Sequence, residues 1–492
     1  MNTVSIPRAG QFTLAVACAV LCGGPLKAAS PVGDVVGKVV VGYQGWFSCA
    51  GDGAPNNNWS HWSVDNGLPT PSNTSGIKAW PDVRDYTRTY QTGFANLGNG
   101  SPAKLYSPWD QQTVDAQFQS MLQSDIDCAA LQRFASWTVP GSARKAQVDG
   151  IATRVKSAAQ TYGRKFYVMY DCSATDAVDT DWTDTIVNTL HLTSSSSYAM
   201  QNGKPVVCMW GVGKSGRGST QDWVNKINSF KNKGCYVIGG TLAGWRTDTA
   251  NLPAYNACNM IMPWMVGVIS TIASSDSNYT NRTVPDIAYC SSHGMDYQQC
   301  VIPGDLSLQQ RLHGDLMWHE FYNAVRAHPQ GIYIAMFDEY NEGNQIAKTA
   351  ESAAFLPTNS SFFALDEDGT ACWSDYYLRL TGDGGRMLKG EIALTATRPT
   401  PPIGGVRFFQ NINYGGAVSQ CLAKGAYTLA QLAAKGVPND WASCVAIPAG
   451  WTVIMYSNDN FSGTAWTLTA DAPDFTKLTP SANDMVSSVK IQ

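Results

Sequence analysis

Three carboxylates fall within five positions of the segment MFDEYNEGNQIAK (336–348): Asp338, Glu339 and Glu342. They follow directly on the apolar run GIYIAMF (331–337). Like charges this close raise one another's pKa and cost stability. Two carboxyl groups whose pKa values are driven apart can give one proton and accept another, which is what general acid–base chemistry requires. Hydrolysis of a glycosidic bond uses such a pair, roughly 5 Å apart in retaining enzymes and roughly 6.5–9.5 Å apart in inverting ones. The competing explanation is a strand end in water with Glu342-Gly343 as a turn, the commoner case for an isolated acidic pair. Residues three apart do not share a face of an extended strand, so Glu342 belongs in a loop beyond Glu339 that bends it back toward the cleft.

The elements that must hold these groups are visible upstream. From Val39 to about Leu388, short apolar runs alternate with amphipathic helical patterns: KVVVGYQGWF (38–47), CAALQRF (128–134), KFYVMYD (165–171), KPVVCMWG (204–211), CYVIGG (235–240), MIMPWMV (260–266) and GIYIAMFDE (331–339). Continuous apolar strands separated by helices indicate parallel strands buried on both faces. With AKLYS (103–107) as the eighth, the pattern predicts an α/β fold, a (β/α)8 TIM barrel; a doubly wound open sheet is disfavoured because no Gly-rich phosphate turn follows the first strand. Chemistry in such a barrel sits at the C-terminal strand ends. Those ends carry Tyr43, Trp46, Arg133, Tyr170, Asp171, Trp210, Trp245 and Trp264 besides the acids. Rings around a few carboxylates suit a sugar, which offers C–H faces for stacking and hydroxyls for hydrogen bonds. His61, within NNNWSHW, together with Asp338, Tyr340 and Asn341, completes the candidate substrate contacts.

Composition bounds the partners. With 492 residues, 44% hydrophobic and 15% charged, and 16 Trp, 21 Tyr and 16 Phe, the chain can bury a large core and still line a cleft with rings. A formal charge of −4 without any Lys/Arg cluster argues against nucleic acid or an anionic membrane and for an oligosaccharide or polysaccharide partner, with the chain acting as a monomer. Residues 1–29 read as a secretory signal peptide: Arg8, an apolar stretch from Phe12 to Cys22, and small residues at Ala28 and Ala29. The mature protein is expected to be secreted or periplasmic. Thirteen cysteines, two of them (Cys18 and Cys22) in the leader, leave an odd number in an oxidising compartment. Cys290/Cys300 is the first expected disulfide and Cys421/Cys444 the second.

After the barrel (30–396), TRPTPPIGG (397–405) reads as a Pro/Gly linker, and helical patterning gives way to short alternating strands over 406–492. Here the sequence repeats itself. Phe409, Asn411, Asn413, Tyr414 and Gly416 align with Tyr456, Asn458, Asn460, Phe461 and Gly463, and NDWASC (439–444) aligns with NDMVSS (483–488).

This repeat resembles a βγ-crystallin domain, an all-β Greek-key fold. The resemblance implies calcium bound by Asp440 and Ser443 and by Asp484 and Ser487, although the first copy departs from the pattern at Cys444. Oxygen-only donors of this kind suit a hard cation. The barrel resembles the glycoside hydrolase family 71/99 group, and within it the endo-α-mannosidase family 99. FDEYNEGNQI is similar to that family's NEWHEGTQI, and VGYQGWF, NWSHW, IDCAALQRF and SDYYLRL fit the same group. Asp338, Tyr340 and Asn341 depart from the family's Asn, Trp and His. The resemblance implies a secreted hydrolase of α-linked glycans that needs no catalytic cofactor. It gives Glu339 the role of deprotonating the sugar 2-hydroxyl to form a 1,2-anhydro sugar, and Glu342 that of general acid and then base. Two alternatives stand beside it: a carbohydrate-binding or envelope-associated protein with a non-catalytic barrel, and a family 71-like α-1,3-glucanase.

Overall fold

The computed structural model describes residues 30–74, 76–448 and 450–492; the expected leader over 1–29 lies outside them. Eight parallel strands form its core: β1 Val39–Tyr43, β2 Cys128–Phe134, β3 Lys165–Asp171, β4 Lys204–Trp210, β5 Tyr236–Leu242, β6 Met260–Trp264, β7 Asp296–Val301 and β8 Gly331–Ile334. Neighbours in sequence pair in order, and β8 returns to β1 through Val39↔Ile332 and Val41↔Ile334, so the sheet closes with no free edge. It is a (β/α)8 barrel.

Two expectations about the strands need correction. AKLYS is not a barrel strand: Lys104–Leu105 pairs antiparallel with Tyr90–Gln91 outside the barrel. The eighth strand is β7, DYQQCV, buried along its whole length although Asp296, Gln298 and Gln299 interrupt its apolar run. Asp296 accepts from Tyr236 and Gln299 from Thr283, so two of these buried polar side chains are matched by partners from other elements.

Packing inside the barrel beneath the acids is tight. Gly42 is bare because a Cβ there would sit 2.2 Å from both Met336 Sδ and Tyr333 Oη. Outside, helices α1 Gln111–Gln123, α2 Ala143–Thr161, α3 Thr220–Asn232, α4 Val284–Ser292, α5 Asp315–Arg326 and α6 Tyr376–Leu388 cover the strands. The buried face of α5 sets Phe321 against Gly384 of α6, where any Cβ would lie 2.4 Å from the ring. Among the described residues, no helix is long and apolar enough to cross a membrane.

The C-terminal unit contains β9 Arg407–Asn411, β10 Gly415–Val418, β11 Gly425–Tyr427, β12 Cys444–Ala446, β13 Val453–Asn458, β14 Ser462–Leu468 and β15 Ser488–Ile491. One sheet runs β10-β9-β12 and the other β11-β15-β13-β14. The third strand of the first repeat therefore crosses into the second repeat's sheet, and Val445↔Ala472 is the reciprocal bridge. The sequence repeat is also a backbone repeat. Asn413 and Tyr414 (φ 56° and 60°) and Asn460 and Phe461 (φ 56° and 59°) make the same left-handed turn in both hairpins. Val406, Phe408, Trp466 and Val489 fill the space between the sheets.

Neither expected disulfide forms; the eleven described cysteines are free thiols. Cys290 and Cys300 are buried in the barrel's apolar core. Cys421 accepts from Arg407 Nε at 3.2 Å, while Cys444 accepts from the Tyr414 amide and reaches the Asn411 carbonyl, each at 3.2 Å. Each thiol of the second pair is committed to a different neighbour.

The Pro/Gly segment is pinned along its length. Arg379 donates to the carbonyls of Pro401 and Pro402 at 2.9 and 2.8 Å, and Trp373 Nε1 donates to Gly405 O at 3.1 Å. Just beyond, Arg407 is 1% exposed and places its guanidinium against barrel residues: Asp375 at 2.6 Å, Glu351 at 3.7 Å, and the Trp373 ring at 5.0 Å. Arg84 bridges Glu351 and Asp82 at 2.8 and 2.7 Å and lies over the Phe409 ring at 5.6 Å. Burial pushes the Asp375 carboxyl up, but Arg407 and Arg379 outweigh it and hold the group well below the usual carboxylate range.

Removing one partner from a buried ion pair leaves the other uncompensated and costs about 3–5 kcal/mol. Asp375 keeps Arg379 and Glu351 keeps Arg84, so Arg407→Ala is expected to lower the unfolding free energy of the whole chain by at most about that amount. Lys477→Ala, which breaks a surface pair with Asp474, should leave the midpoint close to that of wild type. Denaturant melts of the two variants beside wild type make the measurement, and equal midpoints would show that the junction contributes nothing.

Candidate active site

The chain leaves β8 at Ile334 and turns sharply through the acidic segment. Tyr340 N donates to Asp338 O at 3.0 Å and Glu342 N to Glu339 O at 3.2 Å, and Met336 N closes the loop onto Asn344 O at 3.2 Å. Glu342 thus lies beyond Glu339 on a return bend, as the spacing requires. Gly343 permits this bend with φ 73°, and a Cβ there would lie 2.5 Å from Asp305 Oδ1.

Asp338 is completely buried, and its carboxylate accepts the amides of Gln44 and Gly45 at 2.7 and 2.8 Å. Burial raises its pKa to about 6 against the pull of those two amides. Glu339 is 4% exposed; Oε1 accepts from Gln44 Nε2 at 3.0 Å, and Oε2 has no hydrogen-bond partner. Its pKa is pushed well above the ordinary range by burial first, then by the charge of Glu342, then by Asp338. Glu342 is exposed as a residue, yet its carboxyl is also raised, chiefly by partial burial and further by Asp305, with Lys78 opposing. Lys78 Nζ in turn pairs with Asp305 Oδ2 at 2.7 Å. The two glutamates share one electrostatic environment at the C-terminal mouth. A carboxyl whose pKa is raised is a better proton acceptor when ionised and keeps its proton to higher pH when neutral, as general acid–base chemistry requires.

Aromatic side chains gather on the β1 and β2 side of this mouth. Trp46 stacks on His61 with centroids 4.0 Å apart, and on Phe134 at 5.5 Å, with Trp137 at 6.0 Å. Burial, then Arg144, lowers the His61 pKa to about 3, so this imidazole is neutral and serves as a flat ring. Trp210 and Trp264 meet edge to face at 5.9 Å, and Lys214 and Arg217 lie over the Trp210 ring at 4.6 and 4.7 Å. Asp171 is partly exposed and paired with Arg217. A cavity of about 770 Å³ lies beside the β2 and β3 ends, lined by Phe134, Lys145, Asp171, Asp176 and Arg217.

Other predicted contacts are already committed within the protein. Tyr43 is fully buried and donates to Gln117 Oε1 at 2.5 Å. Arg133 makes a bidentate pair with Asp181, both bonds 2.6 Å, and reaches Asp149 at 2.7 Å. Trp245 Nε1 donates to Asp286 at 3.0 Å, and Tyr340 Oη donates to Lys348 O at 2.8 Å. Asn341 stays at the mouth, with its Oδ1 unpartnered. Residues that the sequence did not single out are Gln44, Asn344, Lys78 and Asp305. Asn344 is buried next to Glu339, with both amide atoms lacking a partner of good geometry. Its position two residues beyond Glu342 was the available signal.

In the C-terminal unit the motif residues meet across the repeats. Ser443 Oγ lies 2.7 Å from Gln410 O and 3.4 Å from Asp484 Oδ1. Ser487 Oγ lies 3.0 Å from Ser457 O and 2.8 Å from Asn439 Oδ1, whose own amide donates to Asp440 Oδ2 at 2.7 Å. Ser443 therefore faces Asp484, and Ser487 faces the Asn439-Asp440 pair, rather than each serine serving the aspartate of its own copy.

No protein-family model matches the chain. The development-specific protein S of Myxococcus xanthus is 40% identical over 70 residues, which are 14% of this chain and 38% of that protein, so the chain spans well under half of that relative's length. A βγ-crystallin domain from Clostridium beijerinckii is 52% identical over 18% of this chain and 93% of its own, with a TM-score of 0.16. The GH99 endo-alpha-mannosidase from Bacteroides thetaiotaomicron superposes on 72% of this chain and 98% of its own, with a TM-score of 0.54 at 14% identity. At that identity the likeness shows a shared barrel fold.

Proposed function

We propose that the protein is an exported glycoside hydrolase acting on α-linked glycans of the α-mannosyl kind. The observation that carries this reading is the pairing of Glu339 and Glu342 on one bend, each with a raised pKa and Glu342's charge contributing to the rise at Glu339. In this proposal Glu339 takes the proton of the sugar 2-hydroxyl and that oxygen closes on the anomeric carbon. Glu342 gives its proton to the departing oxygen and then removes one from the water that opens the 1,2-anhydro ring, while Glu339 returns its proton to the 2-oxygen. Gln44 keeps Glu339 aimed through its 3.0 Å bond, and the Trp46/His61 stack offers an apolar platform for a sugar face. A binding barrel without catalysis is the second reading, favoured by the near-complete enclosure of Glu339.

The C-terminal unit, in the same proposal, binds calcium. Carbonyl oxygens of Gln410 and Ser457, hydroxyls of Ser443 and Ser487, and the Asp484 and Asp440 carboxylates make an all-oxygen donor set that fits a hard cation. The cation would there join the two repeats and take no part in hydrolysis.

Glu342→Gln should lower turnover of an α-mannan oligosaccharide by about a hundredfold or more while binding persists. It also removes the negative charge that raises Glu339, so the acid limb of the residual pH–rate profile should move to lower pH. An unchanged rate, or wild type that binds the oligosaccharide without cleaving it, rejects the catalytic assignment. For the metal, calcium at a hundredfold excess over Kd should add about 2.7 kcal/mol to the folded state. Thermal melts of the full chain in chelator and in millimolar calcium should differ accordingly, and Asp484→Ala should shrink the difference; coincident melts exclude calcium binding.

A further inference from the structure

Arg311 lies between β7 and α5, is 1% exposed, and makes no ion-pair contact with a carboxylate among the described residues. Its charge is spent on backbone instead. Nε donates to Gly304 O at 3.0 Å, and Nη2 donates to Gly343 O and to Gln345 O, each at 2.8 Å. The guanidinium lies over the Tyr377 ring at 4.4 Å, and Nη1 has no partner. Burial lowers its pKa, and the Tyr377 ring and the more distant charges of Glu367 and Asp305 only partly offset that cost, so the direct hydrogen bonds of the cation all go to backbone carbonyls. Two of the three carbonyls it holds belong to the residues at one and three positions beyond Glu342. Leu306 N shares the Gly343 carbonyl at 2.9 Å, and Asp305, the neighbour of that leucine, faces Gly343 and pairs with Lys78.

We propose that Arg311 is a positioning residue for Glu342: one planar guanidinium ties the return bend to the 304–306 segment so that the bend holds its place while the carboxyl gains and loses a proton. The proposal rests on the assignment of Glu342 as the acid. Glu342 ionises once and is neutralised once in each catalytic cycle, so its attraction to Lys78 is switched on and off every turnover, and an unbraced Gly343 would let the bend relax. The brace uses backbone acceptors, whose charge does not change with the protonation of Glu342. A lysine at 311 could reach one carbonyl at a time but could not span Gly304, Gly343 and Gln345 together.

Arg311→Lys, with Arg311→Gln as the neutral substitute if the lysine variant does not fold, is compared with wild type on an α-mannan oligosaccharide. We expect kcat to fall by about tenfold to a hundredfold with KM within about threefold, since a misplacement near 1 Å carries that penalty. Hydrogen exchange at the Leu306 and Ile346 amides should accelerate by about tenfold, with the β9–β12 amides unchanged. A kcat within twofold of wild type, a parallel loss of KM, or unchanged exchange at Leu306 and Ile346 overturns the proposal. Should wild type cleave no glycan, the hydrolase reading fails separately; faster exchange in the variant would still support the brace, and unchanged exchange would still overturn it.

Discussion

The site depends on one buried carboxylate that does no chemistry of its own. Asp338 stands where the last barrel strand must meet the first, and its two oxygens accept consecutive amides of the loop leaving β1. Hydrogen bonds from N–H groups to a charged acceptor are among the stronger ones available inside a protein. They fix the β1 loop so that Gln44 can reach Glu339 and Trp46 can take its place in the ring stack. Register pairing between β1 and β8 closes the barrel, and Asp338 carries that closure up into the mouth.

Putting Asp338 beside two glutamates has an electrostatic consequence with a definite sign. Asp338 and Glu339 both have folded pKa values above their ordinary ones, so their ionisation works against the folded state as pH rises from the unfolded values, through about 6 for Asp338 and beyond. The penalty is carried by the paired strands below and by the packing of Tyr333 and Met336 into the space that Gly42 leaves. A carboxylate whose pKa is raised binds a proton more strongly once it is ionised, so the same burial that costs stability also raises the basicity of Glu339.

Much of this was legible in the sequence, for identifiable reasons. Apolar runs mark parallel strands because such strands are buried on both faces, and the Glu-x-x-Glu block announces itself by charge after apolarity. The crystallin-like repeat was visible because a left-handed turn at Asn413-Tyr414 and again at Asn460-Phe461 admits few residue types. What stayed hidden depended on long-range partners. β7 escaped notice because Asp296, Gln298 and Gln299 break its apolar run, while the partners that allow Asp296 and Gln299 to be buried, Tyr236 and Thr283, lie in other elements. Arg133 and Trp245 sat at strand ends like substrate contacts, but Asp181 and Asp286 come from other segments to occupy them. Gln44, Lys78 and Asp305 reach the acids from three separate stretches of chain, and nothing local in any one of them points to the others; Asn344, two residues beyond Glu342, was the one within reach of the sequence.

The Pro/Gly stretch before Arg407 illustrates the same limit at the scale of domains. Its composition reads as a linker, and Arg379, Trp373 and Arg407 fasten it to the barrel. The attachment also approaches the site. Glu351 and Lys348 follow the acidic bend within a few residues, Lys348 pairs with Asp85, and Arg84 joins Asp82 to Glu351, which Arg407 meets from the C-terminal unit. Ion pairs that share members are coupled, so loss of any one alters the solvation and partners of the rest. Without Arg407, Asp375 would keep Arg379 and Glu351 would keep Arg84, each with one cation fewer in a buried network that comes within a few residues of the acidic bend. The second unit therefore contributes to the charge balance of the barrel, whatever it binds on its own surface.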